Sequence, residues 1–298
     1  MIYNFGSINV DLVSNVNSSP GPGETVQALD FQKFIGGKGL NFTVAAQAWS
    51  QHVIHIGAIN RHDSWVKNQL QQYQISTKYI HMSKETTGTA IVIVEPDGEN
   101  RIIVNSGANS SIPTDFIESA LNKCNESDWL VFQNETNGHD TAINCAKRGS
   151  AKIAYRPAPF DCDLVNKYVG QIDLLIVNEH EYAAFLAEVN DLEKLLGKGL
   201  NLVVTRGRAG SEWISSTKSI KKSALLVNSV DTTAAGDTFA GTLIGCLSNG
   251  ISPAQAMEFA TVSAPLSTMK HGAACSIPNK SSVLNDIDNK ENHKYSKY

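Results

Sequence analysis

The sequence predicts an α/β fold, a mainly parallel sheet covered by helices on both faces, and three observations predict it. Short β-rich runs alternate with helical patterns along most of the chain, the rhythm of a crossover-connected parallel sheet. Two stretches break that rhythm and read as antiparallel pieces lying outside the main sheet. No internal repeat and no linker divides the 298 residues, so a single domain over 1–298 is expected.

Taken in order, strands are expected at Tyr3 to Ile8, Val53 to Ile59, Trp129 to Phe132, Lys152 to Tyr155, Leu174 to Val177 and Leu202 to Thr205. Helical stretches such as Leu40 to Trp49 and Thr141 to Lys147 lie between them. The first irregular stretch, Asp11 to Phe34, is polar and turn-rich, with Ser18-Ser19-Pro20-Gly21-Pro22-Gly23 at its centre. In the second, Thr89 to Val94 and Arg101 to Val104 flank Pro96-Asp97-Gly98, a good hairpin signal. Together these segments, about 12–34 and 88–105, are expected to form a small β lid over the sheet edge. Phe239, Leu243, Cys246 and Leu247 recur at helical spacing and predict a buried helix ending near Gly250. After Asn279 the chain turns polar and charged, so 279–298 reads as a surface tail, partly disordered.

Composition excludes several classes. Apolar residues make up 42 % and charged residues 18 %, which argues against a disordered or fibrous chain. Lys plus Arg total 25 against 29 Asp plus Glu, a net charge of −4. With no basic excess and no Lys/Arg block, nucleic acid is not the expected partner. Apolar runs such as Leu174-Leu175-Ile176-Val177 are strand-sized, far short of a bilayer span. The five cysteines are scattered without a C-x-x-C pair, which fits reduced thiols. The first charged residue is Asp11, so a basic secretory start is missing, and a cytoplasmic location is expected.

Two glycine-rich sites carry candidate chemistry. Gly36-Gly37-Lys38-Gly39-Leu40-Asn41 precedes an apolar helical run; its glycines allow close backbone approach to a ligand, and Lys38 and Asn41 add donors at a helix start. Taken alone, such a turn is more often plain chain punctuation. Neither a Walker A loop nor a G-x-G-x-x-G fingerprint is present. The second site is Asp231-Thr232-Thr233-Ala234-Ala235-Gly236-Asp237. Small residues in the first turn of a buried helix leave amides free along the axis, an anion site suited to a phosphate. Asp237 then stands where a carboxylate can take a proton from a hydroxyl held beside that phosphate. An isolated Asp at this place is also an ordinary N-cap.

Gly6-Ser7-Ile8-Asn9-Val10-Asp11, the Gly36 to Asn41 turn, Asn178-Glu179-His180-Glu181, Thr205-Arg206-Gly207-Arg208-Ala209-Gly210 and the Asp231 to Asp237 segment occur in that order. The ordered set, running from the first strand to about Pro278, resembles the ribokinase-like (PfkB) family of sugar kinases. Pro22 to Thr25 and Gly107-Ala108-Asn109 are similar to its ribose-phosphorylating branch. The resemblance implies a three-layer α/β/α fold and an ATP-dependent kinase acting on the primary hydroxyl of a small sugar, D-ribose to D-ribose 5-phosphate before others.

It also implies residue roles. Asn9, Asp11, Gly37, Lys38, Asn41 and Glu135 would bind sugar hydroxyls, Asp237 would act as base, and Ala234, Ala235 and Gly236 would form the anion hole. Asn178, Thr205, Gly207, Gly210, Gly236 and Thr261 would hold the nucleotide, and Glu181 would organise Mg²⁺ through water. Asp231, Thr233, Ser267, Lys270, Gly272 and Ser276 fall at the positions of a monovalent cation site, expected to take K⁺. A homodimer paired through lid edges is the expected assembly.

Some positions depart from the family pattern. Arg156-Pro157-Ala158-Pro159 stands where the family often reads Asn-Pro-Ala-Pro, and the extra cation is expected to alter substrate preference. Pro265 is expected to interrupt a helix, and the chain after Asn279 does not read as a final helix. The rival readings are a kinase for another sugar, a sugar acid or a nucleoside, a non-catalytic sugar or nucleotide sensor, and an NAD-dependent oxidoreductase, the last disfavoured by the missing glycine fingerprint.

Overall fold

The computed structural model describes residues 1–96, 100–189 and 191–295. Asp97 and Gly98 of the expected hairpin turn, and 296–298 of the expected tail, lie outside the described residues.

Continuous apolar runs form the middle of the large sheet, because strands covered on both faces need apolar side chains on both. In chain order the elements are β1 (Ile2–Phe5), β2 (Asn9–Asn15), β3 (Asp30–Gly36), α1 (Lys38–Gln47), β4 (Val53–Asn60), α2 (Ser64–Gln72), β5 (Ile80–Ser83), β6 (Gly88–Val94) and β7 (Asn100–Asn105). Then come α3 (Thr114–Leu121), β8 (Trp129–Phe132), α4 (His139–Arg148), β9 (Lys152–Tyr155), α5 (Cys162–Tyr168), β10 (Leu174–Asn178), α6 (Glu179–Glu188) and α7 (Leu192–Gly197). The chain finishes with β11 (Asn201–Thr205), β12 (Ser211–Ile214), β13 (Ser219–Lys222), α8 (Ala235–Ser248), α9 (Pro253–Ser267) and α10 (Lys280–Tyr295).

The large sheet has the order β13-β12-β11-β10-β9-β8-β1-β4-β5. Its pairs are parallel from β11 to β5, with β12 and β13 antiparallel at the edge. One face packs on α1, α8, α9 and α10 through Phe42, Trp49, Phe239, Leu243, Met257 and Val283. The other packs on α3 to α6 through Ile117, Ile143, Val165 and Phe185. This is the expected three-layer α/β/α arrangement. A separate four-stranded sheet, β3-β2-β6-β7, carries both irregular stretches of the sequence.

Three expectations are corrected. The first strand ends at Phe5, not Ile8, and Asn9 already pairs with Gly36 in the second sheet. The chain changes sheets at Gly6, where a Cβ would lie 2.6 Å from the Gly39 Cα, so this close crossing admits only glycine. Alternation cannot reveal the break, because both sides of it are strand. Pro265 does not interrupt a helix but lies in the last turn of α9, where its missing N–H removes a single helical bond. The expected tail is the helix α10. Val283 is fully buried in it, with Leu284 and Ile287 packed on the same cluster, an apolar stripe hidden by the segment's high polar count.

Candidate active site

The carboxyl ends of β1 and β8, the start of β2 and the N-terminus of α1 meet at one place. Asn109 holds the crossover there, accepting from the Ile8 amide at 3.0 Å and donating to Asn9 Oδ1 at 2.8 Å. Asn9 and Asp11 share one face of β2, two residues apart. The Asp11 carboxylate lies against Gly36, where a Cβ would come within 2.0 Å of Oδ2. Gly37 adopts φ 98° just before α1, a left-handed conformation natural to glycine. Glu135 accepts from the Ser7 hydroxyl and from the Lys38 amide at 3.2 Å, while Lys38 Nζ stands 3.5 Å from its other oxygen.

Asn41, one turn into α1, donates to Asp237 Oδ2 at 3.0 Å. Its own Oδ1 is buried and, among the described residues, has no partner. A lone acceptor in such a place suits a hydroxyl donor. Burial pushes the Asp11 carboxyl up to about 7, with Glu135 and Asp237 adding to the rise and Lys38 opposing it. Asn9, Asp11, Gly37, Lys38, Asn41, Glu135 and Asp237 are therefore one cluster, assembled from four separate parts of the chain.

Asp237 belongs to the first turn of α8 and is 6 % exposed. Ala234, in the left-handed region at φ 62°, turns the chain into the helix without any side-chain cap. The Ala235 amide is turned back onto the Thr232 carbonyl at 3.3 Å. Among the described residues, nothing accepts from the amides of Ala234, Gly236 and Asp237, and of these Gly236 and Asp237 are the two free donors within the first turn of α8, at its positive end. Asp237 Oδ1 lies 2.8 Å from Arg156 Nη1.

Beyond α8 a cavity of about 410 Å³ is lined by Thr205, Gly207, Gly210, Leu226, Gly236 and Thr261, among others. Gly207 and Gly210 hold positive φ angles of 51° and 100°. The Thr261 hydroxyl is committed to Ser211 and to the Met257 carbonyl, both at 2.6 Å. Asn178 does not line this cavity. It forms a capping box with Glu181: Asn178 Oδ1 accepts from the Glu181 amide at 2.9 Å, and Glu181 Oε2 accepts from the Asn178 amide at 2.8 Å.

Asp231 accepts from the Thr233 and Gly272 amides, each at 2.9 Å, and so ties two loops together. Ser267 and Ser276 are buried and donate to the Ala264 and Ala273 carbonyls, while Lys270 is exposed. Among the described residues, no three His, Cys, Asp or Glu side chains converge as a metal centre.

Sequence reasoning passed over Ser7 and Asn109 as site residues, although both stand inside motifs it used. It also passed over the support beneath Glu135. Tyr155 donates to Asn134 at 2.6 Å, and His139 lies 3.1 Å from Thr136, with its imidazole pushed down to about 4 by burial. Neither residue carries a motif signal, since aromatic and His side chains at such spacings read as ordinary core.

A carboxylate and two free helix amides, set between a buried polar cluster and a cavity of about 410 Å³ on an α/β sheet, define a phosphotransferase with an alcohol acceptor. The chain belongs to the pfkB family of carbohydrate kinases: the pattern for "pfkB family carbohydrate kinase" matches residues 1–280. It is 33 % identical to a ribokinase of Haemophilus influenzae over 95 % of this chain and 97 % of that protein. A crystal structure of ribokinase from Thermotoga maritima superposes with a TM-score of 0.84 at 31 % identity, covering 96 % of this chain and 99 % of that one. A ribokinase of Arabidopsis thaliana complexed with ribose and ATP superposes with a TM-score of 0.80 at 26 % identity, covering 95 % and 97 %.

Proposed function

We propose that the protein is an ATP-dependent kinase that phosphorylates the primary hydroxyl of D-ribose, giving D-ribose 5-phosphate. The observation that carries the reading is Asp237, held by Asn41 on the polar cluster and flanked by the free amides of Gly236 and Asp237. The similarity to ribokinases, one of them complexed with ribose and ATP, supports ribose over other sugars.

The sugar would lie among Asn9, Asp11, Gly37, Lys38, Asn41 and Glu135, its hydroxyls both donating and accepting there. Asn41 Oδ1 supplies an acceptor that the protein leaves open. The reacting hydroxyl attacks the γ-phosphorus of ATP in line, the bond to the ADP oxygen breaks, and the proton passes to Asp237. In a loose transition state that proton leaves late, so the position of Asp237 contributes more than its basicity. The Gly236 and Asp237 amides receive the charge gathering on the phosphoryl oxygens. Thr205, Gly207, Gly210, Gly236 and Thr261 would surround the nucleotide.

Bound Mg²⁺ supplies charge neutralisation on the phosphates. The donors present fit it through water, since Glu181 has one carboxylate oxygen outside its capping box and Asn178 stands beside it. The Asp231 region, with its carboxylate and the nearby backbone carbonyls, is oxygen-rich and fits a hard monovalent cation such as K⁺. The four-stranded sheet would act as a lid that excludes water, which otherwise accepts the phosphoryl group. Phe31, Ile91 and Ile103 share one face of it and leave an exposed apolar surface there, which supports a homodimer formed through this sheet. No helix among the described residues is long and apolar enough to cross a membrane, in keeping with the proposed cytoplasmic location.

Sugar-dependent ADP release, measured on ribose, deoxyribose, fructose, 2-keto-3-deoxygluconate and adenosine, tests the reading. The highest kcat/KM is expected on ribose. A higher value on another acceptor reassigns the substrate, and no turnover on any of them identifies a sensor.

A further inference from the structure

Arg156 follows β9 at the carboxyl end of the sheet, its amide donating to the Phe132 carbonyl at 3.1 Å. Its side chain is only 18 % exposed and runs to the N-terminus of α8. Nη2 lies 2.4 Å from the position a Gly236 Cβ would take, so the guanidinium rests on the first turn, beside the free amides. Nη1 approaches Asp237 Oδ1 at 2.8 Å, yet it is buried without an aligned hydrogen bond. A guanidinium has five donors in a fixed fork. Here that fork and two uncommitted amides converge at the positive end of a helix dipole, where, among the described residues, the Asp237 carboxylate is the one anion paired with the guanidinium.

We propose that Arg156 is a catalytic residue that binds the phosphoryl group in transit, one nitrogen staying on Asp237 while the other takes a phosphoryl oxygen. The inference rests on the reading that transfer occurs beside Asp237. In the step, the acceptor oxygen bonds to the γ-phosphorus, the bond to the ADP oxygen breaks with its electron pair, and the proton goes to Asp237. Arg156 keeps its own protons throughout. Spanning base and phosphoryl group, the fork fixes one relative to the other and adds charge where the equatorial oxygens gather it.

Two other roles fit less well. A purely structural ion pair would align its hydrogen bond with Asp237, and Nη1 does not. Selection of an acceptor bearing its own anionic group would place the cation away from the reacting hydroxyl, whereas Arg156 touches the residue that receives that hydroxyl's proton.

Arg156→Gln keeps length and donors without charge, and Arg156→Lys keeps charge without the fork. Steady-state ribose phosphorylation is expected to show kcat lowered about 100-fold in Arg156→Gln, an intermediate loss in Arg156→Lys, and KM for ribose unchanged within about threefold. With magnesium present, calorimetric titration with ADP plus beryllium fluoride, a phosphoryl mimic, is expected to weaken at least about tenfold in Arg156→Gln, while ADP alone binds as in the parent. Unaltered ADP binding also establishes that the variant is folded. Turnover kept within about threefold in both variants overturns the proposal. So does a rise in ribose KM at constant kcat, or an equal weakening of both nucleotide forms. A parent protein inactive on ribose sinks the substrate reading alone, because the mimic titration needs no sugar and decides Arg156 by itself.

Discussion

Replacing Asp11 with asparagine probes the electrostatics of the sugar cluster in the absence of any ligand. In the folded protein the Asp11 carboxyl is pushed from an ordinary 3.8 up to about 7, first by burial and then by Glu135 and Asp237, against the pull of Lys38. The unfolded chain ionises this group near its ordinary value, so between about pH 4 and pH 7 folding takes up a proton. The stabilisation from protonated Asp11 is complete below about pH 4 and is lost as pH rises through about 7. Roughly three powers of ten at about 1.4 kcal/mol each give about 4 kcal/mol over that window. The amide variant has nothing to titrate there.

Urea unfolding of the parent and Asp11→Asn in parallel, at matched ionic strength from about pH 4 to about pH 8, isolates the effect, because the other titrating groups cancel in the difference. The stability of Asp11→Asn relative to the parent is expected to rise by about 4 kcal/mol across the range. Parallel curves would refute the reasoning and mean that Asp11 is as well solvated folded as unfolded.

Asp237→Asn is expected to lower turnover by about 10²- to 10⁴-fold while ATP affinity is kept, read by ADP release and by nucleotide titration; near-normal turnover removes Asp237 from the mechanism. Gly36→Ala puts a methyl group where the Asp11 carboxylate now lies, so the carboxylate must move. The KM for ribose is expected to rise about tenfold with a smaller change in kcat, and an unchanged KM would place Asp11 outside the sugar site. Val283→Ala is expected to cost about 1–3 kcal/mol and to lower Tm by several degrees, since Val283 is fully buried where α10 packs against the helical layer. A melting curve identical to the parent's would mean that α10 adds nothing to the stability of the fold.

Much of this protein could be read along the chain. Runs such as Trp129–Phe132 and Leu174–Asn178 announce sheet interior, because strands covered on both faces have no polar side to show. The glycines at 36, 37 and 236 mark backbone that must come close to something, and the order of the motifs carries the family. Segments whose burial depends on partners elsewhere were harder to read. α10 looks like a tail until the helix it covers is known, and Gly6 looks like strand until Gly39 is found against it.

The site shows the same division. Asn41 and Asp237 are 196 residues apart, and no spacing rule says that one side chain will donate to the other. Their meeting follows from the packing of α1 on α8, where Gly241 and Gly245 let the Phe42 and Ala46 backbone come close. Arg156 reads as a departure in a motif; its place over the free amides exists because β9 ends where α8 begins. Residue types and their order can be read locally because propensity and patterning act over a few neighbours. Distances, free amides and the raised Asp11 carboxyl belong to the assembled core, because desolvation and alignment arise only once distant segments exclude water between them.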